Sequence, residues 1–219
     1  MITFFNLNFQ NPNSINHFNL INFHNNLIIL IIIIILFIII ILKFNIINKF
    51  TNKIIIENQI IEIIWTILPI IIIIYLLFNS IKLLFINNEI KLNSLFIKTF
   101  GNQWFWNYEY PNLNLSFNSY IIYKNNFNFF SIETDNNLII PSNFQILIII
   151  TSIDVIHSWT IPSINIKIDA IPNQINRFNI ITFKPSIIYG QCSEICGINH
   201  RFIPIKIESI LINNFIKWI

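Results

Sequence analysis

The sequence predicts an α+β membrane protein, an N-terminal hairpin of two transmembrane helices followed by an all-β domain of sandwich or barrel form. Three observations carry this. Mean hydropathy is +0.64 with only 11% charged residues, too apolar for an ordinary soluble domain. The apolar excess is concentrated in two runs before residue 86. After about Leu92 the texture changes to short apolar stretches broken by Asn, Ser, Pro and Gly.

Residues 1–26 read as an N-terminal segment outside the membrane. Leu27 to Leu42 is an unbroken apolar run that Phe44, Ile46 and Ile47 extend past Lys43, giving a first span over 27–47. About 20 residues rising 1.5 Å each cross roughly 30 Å of hydrocarbon. A secretion signal fits poorly, because no basic residue precedes the run and no small-residue cleavage site follows it. The second span covers 60–86 and is interrupted by Glu62, Pro69 and Lys82.

The connecting loop, 48–59, carries Lys49 and Lys53 against Glu57, with Lys43 just before it, and no Lys or Arg lies before Leu27. Short basic loops stay on the inner side, so the N-terminus and the large C-terminal part are expected outside. Glu62 falls near the inner end of the second span, where an ionisable group is costly unless it pairs or meets water. It reads either as a snorkelling interfacial carboxylate or as the mouth of a proton pathway.

The all-β domain is expected over 92–219. Candidate strands are Ser94–Phe100, Tyr120–Lys124, Phe144–Ser152, Phe178–Phe183 and Ile203–Glu208, and Leu211–Trp218 is a candidate terminal helix. The chain has three glycines, Gly101, Gly190 and Gly197. Retention of glycine where it is so scarce predicts backbone shapes that other residues cannot adopt. Net charge is +3 without a basic cluster, which argues against nucleic acid as a partner. Ile, Asn and Phe are over-used, the mark of A/T-rich codons, and Met1 is the only methionine.

Chemistry concentrates in Gly190-Gln-Cys192-Ser-Glu194-Ile-Cys196-Gly-Ile-Asn-His200-Arg-Phe-Ile-Pro204. Cys192, Cys196 and His200 put three soft or borderline donors on one loop, and Asp154-Val-Ile-His157-Ser-Trp159 supplies a second histidine at the end of an apolar strand. Thiolate with imidazole suits copper or zinc and disfavours hard ions. A Cys192–Cys196 disulfide is one alternative. A Cys2His2 zinc site is chemically adequate, but its spacing is not that of common zinc modules. A mononuclear blue-copper site leaves one cysteine surplus. Two thiolates bridging two coppers, each capped by one histidine, use every donor.

The Cys-Ser-Glu-Ile-Cys-Gly-x-Asn-His loop resembles the dinuclear CuA site of the cytochrome c oxidase subunit 2 family. So do His157-Ser-Trp159 through Pro162-Ser163, Lys167-x-Asp169-Ala-Ile-Pro172, Gly101-x-Gln103-Trp104-Phe-Trp106-x-Tyr108-Glu109-Tyr110, and Glu62-x-x-Trp65-Thr-Ile-Leu-Pro69. The resemblance covers nearly the whole chain in order. It implies a two-helix hairpin carrying a cupredoxin-like Greek-key barrel. It implies Cys192 and Cys196 as bridging thiolates, His157 and His200 as imidazole ligands, and a Glu194 backbone carbonyl on copper. The Glu194 carboxylate would reach a magnesium ion shared with subunit 1. Trp104 becomes the point where electrons enter from cytochrome c, and Glu62 the entrance to a proton pathway. Subunits 1 and 3, cytochrome c and the lipid bilayer are the implied partners. The implied location is the mitochondrial inner membrane, with both termini and the copper domain in the intermembrane space. Oxygen reduction belongs to another subunit.

The likeness breaks at two places. The family's loop continues Phe-Met-Pro, its methionine a weak axial copper ligand, where this chain has Phe202-Ile203-Pro204. Isoleucine has no lone pair, so one copper is expected to lose a donor and the centre to form with altered potential or slower transfer. Some mitochondrial codes read AUA as methionine, and a single methionine among so many isoleucines also fits that reading. The mass of the Cys196–Lys206 peptide decides between them. The family's carboxylates after Tyr110 are also thinned, with Asn112, Asn114 and Asn118 in that stretch. Glu109, Asp135 and Asp154 remain as candidate docking acids, so steering of a basic partner is expected to be weak.

Overall fold

A computed structural model describes residues 8–50, 57–88, 92, 95–123, 129 and 131–219. Met1, Lys53, Ser94 and Lys124 lie outside the described residues. The chain divides into two units, residues 19–87 and a second unit joining the residues up to Phe18 with Asn88–Ile219.

The first unit is helical. Helix α1 runs Ile15–Ile47 and α2 runs Gln59–Asn88. Both are long and apolar enough to cross a membrane. Within the 27–47 run, the large apolar side chains are exposed nearly all round the helix, the pattern of a segment whose solvent is lipid. Pro69 sits inside α2, where its missing N–H leaves the Trp65 carbonyl without its helical donor, and one turn earlier the Thr66 hydroxyl donates to the carbonyls of Glu62 and Ile63. Glu62 stands in the first turn of α2, where a carboxylate complements the helix dipole.

Helix α1 begins twelve residues before the apolar run because Ser14 caps it. The Ser14 hydroxyl accepts from His17 N at 3.1 Å, and its carbonyl accepts from Phe18 N.

The second unit is all-β with a short terminal helix. Its first sheet has the order β3-β2-β1-β5-β8, from β1 (Leu95–Asn102), β2 (Phe105–Tyr110), β3 (Leu115–Ser119), β5 (Ile146–Ser152) and β8 (Asn176–Ile180). The other has the order β4-β10-β9-β6-β7, from β4 (Leu138–Pro141), β6 (His157–Ile161), β7 (Ile166–Ala170), β9 (Ser186–Cys192) and β10 (Pro204–Ile210). The β1/β5 and β4/β10 pairs are parallel and the remaining pairs antiparallel. Helix α3 is Ile212–Trp218.

Side chains alternate across each strand, and the inward set builds the core. Ile97 of β1, Trp106 and Tyr108 of β2, Ile146 and Ile148 of β5, Trp159 of β6 and Ile207 of β10 are fully buried. Their branched and aromatic character suits a pleated surface. Tyr110 closes the far end: its hydroxyl donates to Ile139 O at 2.7 Å and accepts from Ile139 N at 3.1 Å.

Four of the five expected strands overlap observed ones, and the terminal helix starts one residue later than expected. Tyr120–Lys124 is not a strand over its described residues. Only Ile121 pairs there, as an isolated bridge to Thr134. Strands β2, β3, β4, β6, β7 and β9 lie outside the five candidate stretches; apolar residues on both faces blur the alternation in β4 and β9, and β3, β6 and β7 are only five residues long. His157 opens a strand instead of closing one.

The N-terminal residues fold onto this unit. Asn13 N donates to Ser163 O, and Asn13 O accepts from Phe183 N. The Asn13 side chain donates to Ser186 Oγ at 2.7 Å and accepts from Lys184 N. Ser14 Oγ donates to Ile164 O, and His17 Nδ1 lies 2.8 Å from Ser163 O, where its N–H donates. Asn13, Ser14 and His17 are buried by these contacts.

Candidate metal centre

Three loops meet at one end of the sandwich, between β1 and β2, between β5 and β6, and after β9. Strands β6 and β9 pair with Trp159 opposite Cys192, which brings His157 and Cys192 to the same end of the sheet. This pairing needs Gly190: a Cβ there would lie 2.1 Å from Thr160 O. Gly101, next to last in β1, lies against the His157 ring, with room for no Cβ (2.8 Å to His157 Cδ2). Gly197, at φ +119°, takes a left-handed conformation between the two ligand-bearing turns. The glycine expectation therefore holds as backbone conformation at Gly197 only; at Gly101 and Gly190 the requirement is space.

His157, Cys192 and Cys196 are buried, and one donor atom from each lies within 4.8 Å of the others. His157 Nδ1 is 4.0 Å from Cys192 Sγ. His200 Nδ1 is 3.4 Å from Cys196 Sγ, although His200 does not share the close spacing of the other three. The structure thus gives each sulfur its own imidazole. Glu194 O accepts from the Cys192 thiol at 3.4 Å, which turns that carbonyl toward the donor cluster. Both thiols are free, so the disulfide alternative is not realised.

Burial raises the Cys192 thiol, but hydrogen bonds from His157 and from the backbone, with the His157 charge, outweigh it and leave the thiol below its ordinary value. Cys196 is pushed up to about 12 by burial and then by its neighbour Cys192. The two sulfurs are thus driven in opposite directions, Cys192 toward its anion and Cys196 away from it. Two crowded sulfurs and two imidazoles fit soft or borderline metal, and the residues present suit copper.

Supporting contacts hold the cluster. His157 Nε2 lies 2.9 Å from Asp154 Oδ1, leaving Nδ1 facing sulfur. Asp154 also accepts from Gln103 N and Val155 N, both at 2.6 Å. Gln103 Nε2 donates to Cys196 O at 2.9 Å, tying the first loop to the third. Asp154 was read from sequence as a docking acid only; its spacing three residues before His157 was the available signal for this contact. Ile203 is 1% exposed, and its carbonyl accepts from Cys192 N. Trp104 is half-buried against the metal loop, its ring 3.4 Å from the place a Gly197 Cβ would occupy. Glu109 is half-buried on β2, while Asp135 is exposed and accepts from Tyr120 N and Asn136 N at 2.7 Å each.

Two helices apolar enough to cross a membrane, ahead of a β-sandwich whose loops gather His, Cys and Cys as possible metal donors, are the pattern of a membrane-anchored metalloprotein. The description "Cytochrome C oxidase subunit II, periplasmic domain" matches residues 95–210, and "Cytochrome C oxidase subunit II, transmembrane domain" matches residues 3–83. The chain belongs to the cytochrome c oxidase subunit II family, part of a haem-copper oxidase complex. It is 47% identical over 221 residues to cytochrome c oxidase subunit 2 of Apis mellifera ligustica, covering 100% of this chain and 98% of that one. The Aedes aegypti subunit 2 is 46% identical over 223 residues, with the same two coverages. Among solved structures, the periplasmic domain of subunit II of cytochrome oxidase of Bradyrhizobium japonicum is similar at 36% identity and a TM-score of 0.56. It covers 59% of this chain and 94% of that one.

Proposed function

We propose that this chain accepts electrons from cytochrome c and relays them to haem in subunit 1 through a dinuclear copper centre. The ligands are His157, Cys192, Cys196, His200 and the Glu194 carbonyl. The observation that carries this reading is the pairing of one imidazole with each sulfur. A single tetrahedral zinc needs all four donors about 2.0–2.3 Å from one point, hence mutually close. His200 stands apart from that compact set. Bound, the copper pair supplies a one-electron store whose charge change is shared between two metals.

The protein's own residues do the positioning. Asp154 holds the Nε2 proton of His157 and so presents Nδ1 to metal. Gln103 fixes the third loop through Cys196 O. Trp104, packed on that loop, is the point where electrons enter, and Glu109, Asp135 and Asp154 are the acids of the docking face. The exposed Glu194 carboxylate is the proposed ligand for magnesium shared with subunit 1. Glu62 is the proposed entrance to a proton pathway. We assign the chain to the mitochondrial inner membrane in contact with subunits 1 and 3, the copper domain and both termini in the intermembrane space. The bonds of Asn13 and His17 to the β-unit favour this arrangement: two spans separate regions that touch, so both lie on one side.

Metal analysis with visible and electron-spin spectra of the purified complex tests the proposal. Two coppers per chain and a purple, mixed-valence centre are expected. A colourless chain holding zinc, or no metal, would instead make it a scaffolding subunit, a reading that Ile203 in place of a sulfur donor favours.

A further inference from the structure

Residues 153–156 connect the end of β5 at Ser152 to the start of β6 at His157. Ile153, Val155 and Ile156 are all exposed, so burial of apolar side chains does not hold this loop. Its shape rests on hydrogen bonds. Ile153 N donates to Gly101 O at 3.1 Å, and the Asp154 carboxylate accepts from Gln103 N, Val155 N and His157 Nε2. The other contacts come from one buried side chain, Ser152. Its hydroxyl reaches Val155 O, lies 3.2 Å from both Gly101 O and Asp154 Oδ1, and lies 3.3 Å from Asp154 N. A hydroxyl has one proton to give. Val155 O is the nearest acceptor, and Asp154 Oδ1 already takes Val155 N and His157 Nε2, so the proton goes to Val155 O. A lone pair then receives Asp154 N.

We propose that Ser152 is a positioning residue for the metal centre: its hydroxyl sets the loop that aims the Asp154 carboxylate, and Asp154 in turn sets His157. This rests on the reading of His157 as a copper ligand. Ser152 touches none of the four Cys and His donors; its effect passes through Asp154. The side-chain bridge from 152 to 155 closes the turn where the backbone makes no such bond of its own. Ser152 also pairs with Gly101 in the parallel β1/β5 ladder, and β1 leads on to Gln103, whose N–H takes the second carboxylate oxygen. Both oxygens of Asp154 are thus placed by elements that meet at Ser152. Without the hydroxyl, Asp154 N and Val155 O lose their partner, and no buried apolar contact replaces it.

The test uses the assembled oxidase carrying Ser152→Ala, Asp154→Asn or both. Ser152→Ala adds no bulk, and it should lose copper at about tenfold lower chelator concentration, the low end for an outer partner of a ligating histidine. The double variant should lose copper no more readily than Asp154→Asn alone, because residues that act through one shared contact are not additive. Amide exchange in Ser152→Ala should quicken about tenfold across residues 153–157 and stay parental in β9 and β10, with or without copper loaded. Parental copper retention in Ser152→Ala, losses that multiply in the double variant, or exchange that is unchanged or quickened throughout the β-unit overturns the proposal. Copper content of the parent complex reports separately on the reading of His157 as a ligand.

Discussion

The two nitrogens of His157 face opposite ways: Nε2 meets the Asp154 carboxylate at 2.9 Å, and Nδ1 faces Cys192 Sγ at 4.0 Å. Outer partners of this kind fix the tautomer and orientation of a ligating imidazole, and removing one costs about 10–100-fold in metal affinity. Asp154→Asn should therefore lose copper to a chelator at correspondingly lower concentration. Copper retention equal to that of the parent chain would remove Asp154 from the site.

Ile203 lies buried beside the ligand loop. Ile203→Met is a volume-conserving exchange and should cost less than about 1.5 kcal/mol of stability. A thioether lone pair stabilises the oxidised metal more than the reduced one, so the midpoint potential should fall by tens of millivolts, about 59 mV being tenfold for one electron. A potentiometric titration giving identical midpoints would show that the new sulfur does not reach the metal.

The glycines separate fold from site. Gly190→Ala drives a methyl into Thr160 O and should abolish assembly of the β-unit. Gly101→Ala pushes on the edge of the His157 ring instead. It should leave the fold in place, by circular dichroism, while broadening or removing the copper spectrum.

Glu133 is buried, bonded to Lys206 Nζ at 2.5 Å and to the Tyr189 hydroxyl at 2.8 Å. Burial raises its carboxyl, but the Lys206 and Tyr189 hydrogen bonds and the Lys206 charge prevail and hold it below the ordinary 4.5. Because the folded value is the lower one, this carboxylate's stabilisation is complete above 4.5 and is lost as pH falls through the folded value. Glu133→Gln should flatten that acid limb of the melting curve and cost about 3 kcal/mol at neutral pH, from the stranded lysine.

With Asn112, Asn114 and Asn118 on the stretch after Tyr110, association with a basic cytochrome should depend weakly on salt. A steep fall in the oxidation rate as ionic strength rises would contradict this.

The three donors that the structure gathers, His157, Cys192 and Cys196, stand out in the sequence because their chemistry is local: they lie on two short segments framed by glycines. Membrane spans were legible for the same reason, since an unbroken apolar run has few other meanings. What stayed hidden depends on distant contacts. Nothing near Glu133 announces Lys206, and nothing near Asn13 announces Ser186. The strands beginning at Leu115 and Ile166 alternate but run only five residues each, and become recognisable only once their partners are known. Asp154 lay between the two cases, three residues from its histidine yet read by charge alone.

The bonds from Asn13 to Lys184 O and Ser186 Oγ connect positions 171 and 173 residues apart. The polypeptide thereby forms a closed circuit that both spans must thread, and the stretch synthesised early waits for one made late before it is satisfied. A fragment begun at Leu92 would leave the Lys184 amide and the carbonyls of Ser163 and Ile164 facing water. Supplying residues 9–18 as a separate peptide should restore its melting temperature, and a bulky fusion that holds those residues away should lower that of the intact chain.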